Sequence, residues 1–179
     1  MRHAYILAAL GLFFTTSLFS QTKADQVKEI QRKFKHINSD TGYQVRTLEG
    51  EQFLEQTTDG GGQLSGYFKQ GQVRRIVESV GLSYGMLITE YYFWDGQLFF
   101  VYEKEADYPY VDSLQEIDHT TLIPAFEGRY YFTGRKIFET KYSGRKRFPD
   151  EVIASPAIKA QELLQVSDRY LSLLKKKHN

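Results

Sequence analysis

Cysteine is absent from the chain, so no disulfide, lipidation thiol or thiolate metal site can be drawn from it. Histidine is nearly as scarce. His3, His36, His119 and His178 are scattered from end to end, and without a cluster of imidazoles a transition metal lacks its usual ligands, so no metal or other cofactor is expected. Neither charge sign prevails, with 23 Lys and Arg against 22 Asp and Glu, which removes the electrostatic case for nucleic acid or an anionic membrane as partner. Gly60, Gly61 and Gly62 are followed by Gln63-Leu64 rather than by the Lys-Ser/Thr pair of a phosphate loop.

Long apolar runs are missing beyond the first twenty residues. There, Arg2 precedes an apolar stretch from Ala4 to Phe14, and the small Ser20 stands before Gln21, the layout of a cleavable secretory leader. Thr15, Thr16 and Ser17 cut the stretch short of the roughly 20 residues that a membrane span needs. The expectation is a signal peptide over 1–20 and a single domain over 21–179, secreted or periplasmic, and not an integral membrane protein once the leader is gone. Loss of Arg2 with the leader makes the two charge signs equal.

Aromatic residues, by contrast, are abundant at 15% of the chain, which favours sheet. Tyr67-Phe68-Lys69-Gln70-Gly71-Gln72-Val73 and Tyr92-Phe93-Trp94-Asp95-Gly96-Gln97-Leu98 share one pattern: an aromatic pair, two residues, Gly, Gln and an aliphatic. Each reads as a hairpin, because Asp-Gly, and more weakly Gln-Gly, suits the positive φ angles of a two-residue turn. Tyr131-Phe132-Thr133-Gly134-Arg135-Lys136-Ile137 is a third copy, one residue shorter before its Gly. Over roughly residues 60 to 142 these hairpins resemble the repeats of the YwqK-like antitoxin-component proteins and of uncharacterised secreted bacterial proteins. The resemblance implies an antiparallel meander and no activity.

If the turn at Asp95-Gly96 is followed by uninterrupted pairing, Phe93 meets Leu98, Tyr91 meets Phe100 and Thr89 meets Tyr102. That apolar face, with Leu87, is expected to line the core. The other face would carry Met86, Ile88, Glu90, Tyr92, Trp94, Phe99, Val101 and Glu103, aromatics and carboxylates mixed and partly wet.

Around the hairpins, Val27, Ile30, Phe34 and Ile37 fall at helical spacing within 26–37, with Asp25 as cap. Tyr43 to Leu48 alternates as a first strand, 49–58 fits helix or strand, and Asp59 to Gly62 reads as a flexible connection. Ser155-Pro156 predicts a helix start, and Ala157, Ala160, Leu164, Ser167, Leu171 and Leu174, flanked by Leu163 and Tyr170, trace its apolar stripe. The fold expected is α+β: an antiparallel meander of about six to eight strands packed against this C-terminal helix and a short N-terminal one, in two layers.

Three groups of residues invite a chemical reading. Gly81-Leu82-Ser83-Tyr84-Gly85 matches G-x-S-x-G literally, with Asp112 and His119 downstream, yet a nucleophile elbow needs a helix after Ser83 and the residues that follow, Met86 to Phe93, read as strand. Glu90 and Glu103, expected on one face beside aromatics, suggest either an acid–base pair for glycoside chemistry or two solvated carboxylates. The acidic segment from Glu103 to Asp118 lacks calcium-loop spacing and is expected to face the basic stretch Arg129 to Arg147. No catalytic residue is assigned. The preferred reading is an exported, non-catalytic module that contacts an unknown protein or small ligand through Glu90, Tyr92, Trp94, Phe99 and Glu103. The rivals are a small hydrolase using Ser83 or the Glu90 and Glu103 pair, and a small outer-membrane barrel.

Overall fold

Seven antiparallel strands form one sheet in the computed structural model, which describes residues 22–147 and 155–176. They are β1 (Gln44–Glu49), β2 (Gly62–Lys69), β3 (Gln72–Leu82), β4 (Gly85–Trp94), β5 (Gln97–Asp107), β8 (Ile123–Thr133) and β9 (Lys136–Gly144), paired in that order. Between β5 and β8 the chain makes a small separate hairpin, β6 (Tyr110–Val111) with β7 (Glu116–Ile117). The predicted signal peptide lies outside the described residues.

The aromatic pairs explain how the sheet is built. Gln70-Gly71 and Asp95-Gly96 both take positive φ, at 51°, 74°, 48° and 76°, as a type I′ turn requires. In the third copy only Gly134 does, at 56°, the pattern of a turn whose glycine comes first. The turn therefore keeps its length while its glycine moves forward by one position, which is why the third copy looks one residue shorter. Beyond each turn the pairing is Phe68 with Val73, Phe93 with Leu98 and Phe132 with Ile137. A bulge follows every time, so that Tyr67, Tyr92 and Tyr131 face Arg75, Phe100 and Glu139.

These bulges overturn the uninterrupted register. Phe93 does meet Leu98, but Phe99 is the extra residue, so Tyr91 faces Val101 and Glu90 faces Tyr102. With side chains alternating every second residue, one inserted residue exchanges the faces of everything beyond it. Phe100 and Tyr102 join Glu90 and Tyr92, whereas Val101 and Glu103 join Tyr91 and Phe93.

Both faces are consequently apolar at the turn end, and each is covered by a helix. The C-terminal helix α2 (Pro156–Lys176) buries Ala160, Leu163, Leu164, Ser167, Tyr170 and Leu174 against Leu64, Phe68, Ile76, Tyr91, Phe93 and Tyr130. The Ser155 hydroxyl accepts from the Ile158 amide at its start, as the Ser-Pro signal predicts. Arg46 donates to the Leu174 carbonyl near its end, 3.3 Å away, where a cation suits the exposed carbonyls of a final turn. The N-terminal helix α1 (Lys23–Ser39) buries Ile30 and Ile37 on the opposite face with Tyr92, Phe99, Phe100 and Tyr131. Its cap is Thr22, whose hydroxyl accepts from the Asp25 amide; Asp25 itself, expected as the cap, sits inside the first turn. The α+β meander with two helices is thus as expected, while the two-layer packing is replaced by helix, sheet, helix.

Glycines at 60–62 do not serve as a loose connection. Gly60 and Gly61 exchange backbone hydrogen bonds with Gly81, and a Cβ on Gly60 would lie 2.7 Å from the Gly81 backbone. Residues 50–52, ambiguous in sequence, form a 3-10 turn. The acidic end of β5 does meet the basic tail of β9, through Arg147 to Asp107 at 3.2 Å and Lys146 to Glu103 at 3.6 Å.

Gly66 tests how closely α2 must approach. A Cβ there would fall 2.7 Å from Leu174 Cδ1 and 2.8 Å from Phe68 Cε2. Gly66→Ala is expected to cost about 1–3 kcal/mol in chemical denaturation through overpacking. In Leu174→Ala the added penalty should shrink, because the principal obstacle is gone; strictly additive losses would contradict this packing.

Candidate functional site

Five consecutive cross-strand partners, Tyr67, Arg75, Tyr92, Phe100 and Tyr131, form a row across the sheet from β2 to β8. α1 lies on it. Phe34 packs 4.9 Å from Tyr92 and nearly edge-on to Phe100 at 5.4 Å, and Asn38 ties the helix to the Tyr92 hydroxyl and to Arg75. Lys23 pairs with Glu139 of β9, and Asp40, just past the other end of the helix, holds Lys69 of β2 at 2.6 Å. The helix thus runs across the strands and leaves a flank on either side.

On the flank toward the hairpin turns stands Trp94. Lys33 and Arg74 lie 5.5 and 5.6 Å from its ring and His36 meets its edge, so cations already occupy much of the indole surface. On the other flank is a cavity of about 250 Å³. Phe100, Tyr102 and Tyr131 make its floor, Ile30, Gln31 and Phe34 its wall, and Arg129 its single charge.

The next row outward is charged. Glu90 is 9% exposed and accepts from the Tyr92 hydroxyl and the Lys104 ammonium. Glu127 accepts from the Tyr102 hydroxyl, from Arg129 at 2.6 Å and from Ser143 at 3.2 Å. These donors, Tyr102 first and Arg129 second, hold the Glu127 carboxyl below its ordinary range. Burial, and then the bond to Glu127, push the Tyr102 hydroxyl up to about 12.

Among the expected binding residues, Glu90, Tyr92, Trp94 and Phe99 therefore share the α1 face. Tyr92 and Phe99 are buried under the helix, and Trp94 borders it. Glu103 is on the opposite face, where it accepts from the Tyr130 hydroxyl at 2.6 Å and pairs with Lys159 of α2 at 3.0 Å. The bulge at Phe99 thus places a sheet between Glu90 and Glu103, and they cannot act as an acid–base pair on one substrate. Ser83 sits with Tyr84 in the tight turn between antiparallel β3 and β4, exposed, with no helix after it. No hydrogen bond joins it to Asp112 or His119, whose ring packs on Tyr108.

Phe100, Tyr102, Arg129 and Tyr131 were not singled out from the sequence as binding residues. A signal for two of them existed: aligning the hairpin copies places Tyr131 with Tyr92, and Phe99-Phe100 with Arg74-Arg75, where the extra residue of the bulge resides. Among the described residues no three His, Asp or Glu side chains gather to hold a metal, and no helix is long and apolar enough to cross a membrane. Comparison of the chain with protein-family models, with curated proteins and with solved structures found no match.

Under α2, Glu78 accepts from the Tyr170 hydroxyl. Burial raises its carboxyl above the ordinary range and outweighs the opposing pull of Tyr170 and Arg169, with Glu103 adding to the rise. A carboxyl raised on folding binds protons more tightly in the folded state, so stability from this group increases as pH falls through the raised value and levels off below the ordinary glutamate range. Glu78→Gln, which keeps an acceptor for Tyr170, is expected to unfold at a higher temperature than the wild type at pH 7. The gap should close toward pH 4; a gap that is constant with pH would assign the effect to packing instead.

Proposed function

We propose that this chain is an exported, non-catalytic module that binds a small ligand in the cavity between α1 and the sheet. The observation that carries the reading is that cavity's construction. Its lining is mostly aromatic and aliphatic with one charged group, the usual composition of a small-molecule site, and its volume of about 250 Å³ lies just below the range of roughly 300–1,000 Å³ typical of such sites, which suits a ligand of one ring. Export rests on the leader-like segment from Arg2 to Ser20.

The hydrolase reading finds less support, since neither Ser83 nor the separated Glu90 and Glu103 has the companions its chemistry requires. A membrane barrel requires a closed sheet with one lipid-facing surface, whereas this sheet ends at β1 and β9 and carries a helix on each face.

A screen of one-ring fragments against the ¹⁵N-labelled protein provides the test. Amide shifts are expected to cluster at Gln31, Phe34, Phe100 and Tyr131; a screen that leaves all four unmoved at millimolar fragment would remove this cavity as the site. Expression of the full-length gene in a bacterial host should yield a product beginning at Gln21 outside the cytoplasm, and protein that keeps Met1 and stays in the cytoplasm would refute export.

A further inference from the structure

The cavity carries polar groups that the fold itself does not use. Tyr131 is 3% exposed, lines the cavity, and its hydroxyl makes no hydrogen bond among the described residues. Arg46 Nε is the one fully buried side-chain polar atom without a partner among the described residues, so the Tyr131 hydroxyl is open to solvent and available to a ligand. Tyr92, Tyr102, Tyr130 and Tyr170 each donate to a glutamate, whereas Tyr131 on the α1 face, like Tyr91 on the α2 face, has no such acceptor among the described residues.

Arg129, at the same cavity, makes its hydrogen bonds among the described residues through Nη2 alone, to Glu127 at 2.6 Å and to the Tyr102 hydroxyl at 3.4 Å. Nε and Nη1 are left with their donors unspent, on a planar group suited to gripping a carboxylate with two parallel bonds. Directly opposite Arg129 on β9 is Lys141. Two like charges facing each other across a strand pair destabilise the sheet. Lys141 forms no ion pair among the described residues and places its ammonium 5.8 Å from the Tyr131 ring. Tyr131 and Arg129 thus line the cavity, with Lys141 just outside it against the Tyr131 ring. Of the two acids nearby, Glu127 is held by Tyr102 and Arg129, while Glu139, opposite Tyr131, is paired with Lys23 of α1.

We propose that this cavity takes a small aromatic carboxylate, its ring against Phe100 and Phe34 and its carboxylate received by Tyr131, Arg129 and Lys141. The assignment rests on the binding reading above and names its ligand class. A neutral ring would satisfy the floor but leave the three donors unanswered. A carboxylate without a ring would meet the donors but leave Ile30, Phe34 and Phe100 facing water, so both parts are needed.

The test titrates ¹⁵N-labelled protein with benzoate, phenylacetate, the neutral benzyl alcohol and the ringless acetate. Benzoate or phenylacetate should shift the cavity amides at a concentration about tenfold below that needed for benzyl alcohol, in line with hydrogen bonds to a charged group, and below that for acetate. Added salt should weaken the preference, because the cations are partly exposed. Arg129→Gln and Lys141→Gln should each reduce it, and Tyr131→Phe should weaken benzoate several-fold while leaving benzyl alcohol unchanged. Lys141 is exposed, so its variant remains informative should Arg129→Gln fold poorly. If benzyl alcohol binds as tightly as the acids, or Lys141→Gln and Tyr131→Phe keep the full preference, the carboxylate assignment is wrong and the binding reading survives. If no probe moves the cavity amides of a well-dispersed spectrum, both are overturned.

Discussion

The bulge one residue beyond each hairpin turn is the constraint on which the rest of this structure depends. A two-residue turn alone would carry the alternation of one strand unchanged into the next. Inserting Arg74, Phe99 and Phe138 one position after Val73, Leu98 and Ile137 changes the face of all that follows. The result is a sheet that has no wet side at its turn end. Phe68, Phe93 and Phe132 belong to the core under α2, whereas Tyr92 and Tyr131 lie in the core under α1.

Covering two faces rather than one resolves a problem of composition. A meander of this length with so many aromatics holds more apolar surface than one 21-residue helix can cover. The second helix takes the surplus, but α1, with 17 residues lying obliquely to the strands, roofs only the aromatic row. Beyond it the sheet must be made acceptable to water. It achieves this with alternating charges and with tyrosines whose rings are buried while their hydroxyls reach a carboxylate, as in Tyr92 with Glu90 and Tyr102 with Glu127. The cavity by Phe100 and Arg129 lies on that border, where the aromatic row emerges from beneath the helix and the charged row begins.

The same device recurs under α2 with a different outcome. Tyr130 and Tyr170 hold Glu103 and Glu78, and Lys159 from the helix completes the first pair. Glu78 has Tyr170 as its hydrogen-bonding partner, with the Arg169 charge farther off, so burial governs its titration. Of these tyrosine–glutamate pairs the others lie within the sheet, and Tyr170 with Glu78 is the one that joins a helix to it, so that pair and Lys159 with Glu103 fix the setting of α2.

Much of this was legible from local pattern. The Ser155-Pro156 helix, the three hairpins and the α+β meander follow from composition, caps, turn residues and spacing, because each is decided by neighbours within a few positions of the chain. Which face each residue occupies was not decided there. The pairing of Glu90 with Tyr102 rather than with an aliphatic, and the placement of Glu103 beneath the opposite helix, depend on a single inserted residue per hairpin, and an insertion leaves no break in alternation where the residues around it, Leu98 to Val101, are all apolar. The cavity depended on more distant facts still: α1 had to be set obliquely over strands up to a hundred residues away, and only that docking brought Ile30 and Phe34 over Phe100, Arg129 and Tyr131.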